Sequence, residues 1–426
     1  MRWLRRLAIG VALLALATLT LRWAFGHYGA RRLAAARGAL AERLGPLDLA
    51  RLAPAAVPEE GNAALWILRA GAAIDTQRYR EASQRVGRLL CCALGDWTVT
   101  EREEARQVLE EQAAAITLLP AIAAASGSDF GLPYADGWEV LAREMPDWTP
   151  VVQVSRLAGL EARAALDRGD LSRFLSATRA LAATADALCS EPSLMTMIVG
   201  VSVERTYLGS VRDFLAAPRL RSATDLTVIV ERTREGPCSD QSRRGIEGEA
   251  VLIGSAGDSW YPETGSPLRD WLTAPGGALV GAATLEGIDC LLENLNRPYS
   301  ELLALQETDT CRPRRLGMIY QIAVPNMLRA LGKARALETS RSLAVAALEL
   351  GLERTDTGRF PESLALGPTP YTGEVPLYTR GNGWAEVAAP ESEAFYRSRQ
   401  ASPTECRPAP PLFRFRVEVP TPAPAP

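Results

Sequence analysis

Histidine is nearly absent from this 426-residue chain: His27 is the only one, and it lies just past an N-terminal apolar run. Histidine is the usual general base near neutral pH. Ser-His-Asp and Cys-His mechanisms therefore have no base in the main part of the chain, and imidazole metal sites lose their ligand. Lysine is equally scarce. Lys333 follows Gly332 but precedes Ala334, which excludes a Walker phosphate loop ending in Gly-Lys-Ser/Thr. The other basic residues are all arginine, a bias that reads as genome composition. Net charge is only −3, so no basic face announces nucleic acid as a partner.

The seven cysteines (Cys91, Cys92, Cys189, Cys238, Cys290, Cys311 and Cys406) never fall in a C-x-x-C spacing, which removes zinc knuckles and thioredoxin-like motifs. In an oxidising compartment Cys290 with Cys311 is a candidate loop-closing disulfide. The competing reading is that several are small buried apolar residues. No cofactor or metal site is expected.

What the chain does have begins at its N-terminus. Arg2, Arg5 and Arg6 precede fifteen residues, 7–21, that carry no charge. That length suits a secretory signal peptide, with Ala24-Phe25-Gly26 as a weak cleavage site. The alternative is an uncleaved anchor. Trp3 and Trp23 are twenty residues apart, which on a helix is ~30 Å, the thickness of a bilayer's hydrocarbon core. We favour the anchor, spanning residues 1–27, with Trp3, Leu7, Leu14, Leu21 and Trp23 against the lipid bilayer and the nearby arginines snorkelling outwards. Arg2, Arg5 and Arg6 favour the N-terminus inside, while Arg22, Arg31, Arg32 and Arg37 on the far side weaken that asymmetry.

Residues 28–352 read as a helical domain. A first helix near 28–44 stops at Gly45-Pro46. Further helical patterns fall near 62–73, 79–94 and 100–119, the last with Thr100 and Glu103 as an expected capping box. A loop holding Trp138 and Trp148 interrupts them; its aromatics either line a site or pack the loop onto helices. The clearest hairpin covers 151–188, turning at Gly169 with Asp170 as the next N-cap, and Ser193 caps a third long helix. Residues 233–281 are rich in glycine and polar residues and read as a long loop with a short helix inside it. Helices resume near 284–305 and 316–352, the second interrupted around Pro325. The fold class expected is mainly α: an N-terminal membrane helix, a helical-hairpin (tetratricopeptide-like) bundle or stack, and a small C-terminal antiparallel β element.

That last element occupies 353–420. Asn382-Gly383 signals a hairpin between two short strands. Phe413, Phe415, Val417 and Val419 alternate with Arg414, Arg416 and Glu418, as in a strand with one buried face. Residues 421–426 form a Pro-Ala tail, expected to be disordered.

Asp356-Thr357-Gly358-Arg359-Phe360-Pro361, followed by Pro370-Tyr371-Thr372-Gly373 and Pro376-Leu377-Tyr378, resembles the helix, turn and first-strand element of type II secretion pseudopilins. It resembles more closely the same element in large, uncharacterised, membrane-anchored helical proteins of bacteria, where an Asn-Ala-Ala stretch such as Asn62-Ala63-Ala64 is also common. Thr369 stands where the pattern has aspartate. The resemblance implies a bacterial envelope protein and carries over no activity.

Candidate chemistry is thin. Asp356-Thr357-Gly358 spells an aspartic-protease triplet but sits at a helix end without apolar residues before it, and reads as a C-cap. Asp136, Glu139, Asp147, Asp258 and Glu263 are loop acids from which a glycosidase pair would be drawn, though no spacing selects one. Arg232, Arg234, Arg243 and Arg244 could meet an anionic group. The expected function is a single-pass inner-membrane protein with its main domain periplasmic, non-enzymatic, used for interaction with an envelope protein or for scaffolding. The alternatives are a carboxylate-dependent hydrolase of envelope polymers and a secretion-system accessory protein.

Overall fold

A computed structural model describes residues 2–217, 222–235, 241–255, 267–307, 320–398 and 413–418. The chain is mainly α with a small C-terminal three-stranded antiparallel sheet. Expectations for Cys311, Asp258, Glu263 and the 421–426 tail lie outside the described residues.

Helix α1 (Arg2–Leu44) runs unbroken through the boundary expected at residue 27. Its first part, with Trp3, Leu7, Leu14, Leu21 and Trp23, is exposed, and it is long and apolar enough to cross a membrane. Its second part is buried at Gly29, Leu33, Ala36 and Leu40. Those steps of four, three and four place one seam on the helix, as in coiled coils. The exposed apolar segment and the buried domain segment are thus one continuous helix.

Seven helices follow in the first half of the domain: α2 (Ala63–Ala72), α3 (Thr76–Cys91), α4 (Val99–Glu111), α5 (Ala113–Ile116), α6 (Leu119–Ala124), α7 (Trp138–Glu144) and α8 (Thr149–Asp167). α4 begins earlier than expected. The capping box is Thr98 with Glu101, Thr98 Oγ1 accepting from Glu101 N at 3.2 Å and the carboxylate accepting from Thr98 N at 2.8 Å. Glu103 instead takes Arg106 Nε at 2.9 Å, because a side chain one turn into the helix faces its i+3 neighbour. Asn62 both caps α2 and clamps a distant loop. Its Oδ1 accepts from Ala64 N and Asp129 N, both at 3.0 Å, and its Nδ2 donates to Asp129 O at 2.8 Å. The buried Ala63 and Ala64 behind it leave room for α2 to lie close to α8.

The bundle centre is α8, α9 (Leu171–Ser190) and α10 (Leu194–Leu215). The expected turn forms: Gly169 takes φ +75°, and Asp170 caps Arg173 N at 3.1 Å. Phe174 and Phe214 stack at 5.3 Å inside it. α11 (Ala223–Glu235), α12 (Gln241–Ser255), α13 (Pro267–Asn294), α14 (Tyr299–Glu307) and α15 (Tyr320–Thr357) complete the body.

The long loop expected over 233–281 is corrected here. It holds all of α12 and the first half of α13, and Gly245 and Gly248 serve contact rather than turning. At Gly248 a Cβ would lie 1.9 Å from Pro192 O, and at Gly245 it would lie 2.9 Å from Met197 Sδ. α15 likewise continues through Pro325. α12, α13, α14 and α15 gather Leu33, Ala36 and Leu40 of α1 into a second core beside the main one. Arg32 and Arg43 of α1 pair with Glu286 and Asp289 of α13, with Nε 2.6 and 2.7 Å from the carboxylates.

The sheet has order β1-β2-β3, from β1 (Leu377–Gly381), β2 (Trp384–Ala388) and β3 (Arg414–Glu418), with α16 (Pro390–Ser398) after β2. Asn382-Gly383 turns the hairpin, Gly383 at φ +86°. Phe415 and Val417 are buried where β3 meets α15 and α10, Phe413 is buried and stacks on Tyr371 at 5.8 Å, and Arg414 and Arg416 face outwards. The turn at Thr369–Gly373 ties this element to the body. Pro370 O and Tyr371 O accept from Tyr299 N and Ser300 N at 3.2 and 3.1 Å, and Tyr371 stacks on Tyr299 at 5.4 Å.

Candidate functional site

A concavity with charge on both walls lies where the helical body meets the sheet. It has a volume of ≈ 520 Å³, within the range of ligand sites. One wall is the end of α8 and of α10, with Asp167, Arg212 and Asp213, joined by Arg102 of α4 and the turn Ala93–Gly95. The other is the outward face of β2 and β3, with Glu386, Arg414 and Arg416; Leu94, Leu166, Ala216 and Ala217 add apolar surface.

Each wall is built from ion pairs. Arg102 Nε lies 3.0 Å from Asp167 Oδ1, and Arg414 Nη1 lies 2.9 Å from Glu386 Oε1. Glu386 stands directly across the ladder from Arg416, so one carboxylate steadies the arginine row of the edge strand. Arg416 reaches Glu418 at 3.2 Å and lies over the Trp384 ring, its Cζ 4.6 Å from the centroid.

Beneath the cleft, Asp213 is held from two sides, by Arg212 at 2.8 Å and by Arg163 at 2.9 Å. Arg163 is buried and also donates to Leu89 O at 2.7 Å and Cys92 O at 3.0 Å. It thereby satisfies carbonyls at the end of α3, which is where a cation is best placed against the helix dipole. Burial pulls the Arg163 guanidinium below its ordinary value, and Asp213 opposes that. A second buried pair, Arg341 with Glu204 at 2.6 Å, bolts α15 to α10, and burial raises the Glu204 carboxyl.

A shallower concavity of ≈ 430 Å³ is lined by Phe130, Leu132, Pro133 and Asp136, with Glu144 and Pro146. Of the aromatics in this loop region, Tyr134 and Trp148 are buried, and Phe130 meets Trp148 edge-on at 5.0 Å; the side chain of Trp138 lies outside the described residues.

The acids singled out from sequence do not converge among the described residues. Asp136 is exposed, and Asp147 is spent on Thr149 N at 2.9 Å, which holds its carboxyl low. Glu139 belongs to α7. Asp356-Thr357-Gly358 closes α15, with Gly358 at φ +77°, as a helix stop. The arginines also disperse: Arg232 pairs with Asp186, Arg234 with Glu349 at 2.5 Å, and Arg243 with Glu247 at 3.6 Å, while Arg244 is exposed. No group of three or more His, Cys, Asp or Glu among the described residues is placed to hold a metal. Cys189 and Cys290 are each disulfide-bonded.

The sequence reading missed Arg102, Asp167, Arg212, Asp213 and Glu386. The only local signal was the alternation that turns Arg414 and Arg416 outwards. No protein-family model matches the chain, and neither a curated protein nor a solved structure matches it.

Proposed function

We propose that this is a single-pass envelope protein: α1 spans the bacterial inner membrane and the helical domain stands on the periplasmic side to bind or scaffold another protein. The observation that carries the reading is the division of α1. Residues 7–21 are exposed and carry no charge, and the second half of the helix is part of the domain core. An exposed apolar helix of that length is a poor surface in water and a good one in lipid. The disulfide-bonded Cys189 and Cys290 support an oxidising compartment.

A binding role fits the cleft better than hydrolysis does. Asp167, Asp213 and Glu386 are each bound by arginine, an arrangement that builds a surface rather than presenting two carboxylates to a bond. The resemblance of residues 356–378 to pseudopilins makes a secretion-linked partner the narrower form of the same proposal.

Membrane fractionation of the full chain, followed by protease treatment of spheroplasts, tests it. The expected result is a chain resistant to carbonate extraction and digested from the outside. An intact chain recovered as a soluble cytosolic species would overturn the proposal. Affinity purification from solubilised membranes, with mass spectrometry, then tests the interaction role: an envelope protein enriched above background is expected, and recovery of a secretion machine would select the narrower form.

A further inference from the structure

We infer that the charged cleft between the helical body and the sheet receives an acidic segment of the partner polypeptide; this rests on the protein-interaction reading above. In three of the pairs at the cleft arginine is the outer member and the carboxylate the inner one, while Arg416 and Glu418 are about equally exposed. Side-chain exposures are 40% against 27% for Arg102 and Asp167, and 48% against 16% for Arg414 and Glu386. Arg212 and Asp213 repeat the order, at 15% and 2%. In these three pairs the carboxylate orients the guanidinium from behind, so Arg102 and Arg414 are the outer charges of their pairs.

A guanidinium has five N–H donors in a rigid fork that matches a carboxylate. Arg102 on one wall and Arg414 and Arg416 on the other therefore face each other across the space as fixed anion receptors. Asp167 and Glu386 hold Arg102 and Arg414 from the inner side, and Glu418 pairs with Arg416 at 3.2 Å, so little rotamer freedom is lost when a ligand binds. Leu94, Leu166, Ala216 and Ala217 give the same space apolar surface. Acidic and apolar side chains in one segment satisfy both parts. A bare inorganic anion would leave the apolar part wet.

Position argues against a lipid headgroup as the occupant. The core that carries α1 includes Leu331 of α15, whereas the sheet sits on α15 near Gly351, beside Val417. Those twenty positions are ~30 Å of helix. The cleft is therefore well separated along the body from the helix that enters the bilayer.

The test uses the full chain in nanodiscs and a short fluorescein-labelled peptide of alternating glutamate and leucine, read by fluorescence anisotropy. A lysine-leucine peptide, inorganic phosphate and phosphatidylglycerol vesicles serve as competitors. We expect the acidic peptide to bind, to weaken with salt, and to resist all three competitors. Arg414→Gln with Arg416→Gln should weaken it roughly tenfold or more, as should Arg102→Gln on the opposite wall. Arg106→Gln, an exposed arginine paired with Glu103 and Glu110 away from the cleft, should leave it unchanged. Using both walls guards against one variant that misfolds. Absence of binding, equal binding by the cleft variants, or displacement by phosphate or by the vesicles would overturn the inference. The interaction role fails separately. If the Arg414→Gln/Arg416→Gln chain still captures the envelope partner of the wild type, that role stands and the cleft is not its site.

Discussion

Asp213 lies between Arg163 and Arg212 at the end of α10, 2.9 and 2.8 Å from their guanidinium nitrogens, and its side chain is 2% exposed. Fifty residues of chain separate Arg163 from Asp213, so the pair is a tertiary bolt between α8 and α10. Its other end reaches the carbonyls of Leu89 and Cys92. One arginine thus fixes three helix ends beneath the cleft.

Removing the acid should be worse than removing both charges. Asp213→Ala leaves Arg163 buried without its counter-charge, which costs about 3–5 kcal/mol. Arg163→Met with Asp213→Leu deletes both charges and should recover most of that loss, short of the bonds to Leu89 O and Cys92 O. Chemical denaturation of the solubilised full chain measures both. A double variant no more stable than Asp213→Ala would show that the carbonyl contacts, not the ion pair, hold the helices.

Asn62 makes three hydrogen bonds with one side chain, two of them to Asp129 across 67 residues of sequence. Asn62→Ala should cost about 1–3 kcal/mol, the sum of a lost N-cap and unsatisfied buried backbone groups. Asn62→Asp keeps both accepted bonds and should lose less. Hydrogen exchange at the Ala64 and Asp129 amides locates the effect.

Glu191 closes α9 with its side chain buried, and Tyr134 donates its hydroxyl to it at 2.5 Å. Burial raises the carboxyl above the usual glutamate range, and the Tyr134 bond only partly offsets that. The folded chain therefore keeps this proton at pH values where the unfolded chain has released it. The contribution is favourable at low pH and is lost as pH rises from about 4.3, the unfolded value, through the folded one. Glu191→Gln has no proton to lose and still offers Tyr134 an acceptor. Its stability relative to wild type should climb with pH over that window and then level off. A difference that is flat from pH 3 to 8, or that falls, would remove Glu191 as the cause.

The hairpin of α8 and α9 was legible because Gly169 and Asp170 carry their own local chemistry, a left-handed turn and a cap. The β element was legible from Asn382-Gly383 and from strict alternation after Phe413. Glycine misled over 233–281. Gly245 and Gly248 read as loop formers, yet they are the places where α12 touches Met197 and Pro192, a reason that exists only once α10 is in position. The cleft was illegible for the same kind of reason. Arg102 and Arg414 are 312 positions apart in the chain. Each alone is an ordinary surface arginine, and only the packing of β3 on α10 and α15 brings them to one space.

The cysteines give a covalent test of the topology. Cys290 is disulfide-bonded, and Cys311 was the partner expected from sequence. Cys290→Ser should release one new thiol, and mass mapping after maleimide labelling without reductant should find it at Cys311. A label at Cys238 or Cys406 instead would reject that pairing. A wild-type chain labelled at Cys290 itself would place the domain in a reducing compartment.

The two halves of α1 should fail independently although they are one helix. Leu40 is fully buried against α13 and its neighbours, so Leu40→Ala should cost about 2–5 kcal/mol of domain stability while the protein stays in the membrane. Leu14 is exposed on the domain-free half, so Leu14→Arg touches no packing contact of the body. Placing arginine at the bilayer centre costs about 2.5–3.5 kcal/mol on insertion scales, which weakens retention in carbonate-washed membranes. Thermal melting of the solubilised chain should be shifted by the first variant and unmoved by the second. Melting lowered equally by both would mean that residues near Leu14 pack on the protein, and the apolar half would then need an explanation other than lipid.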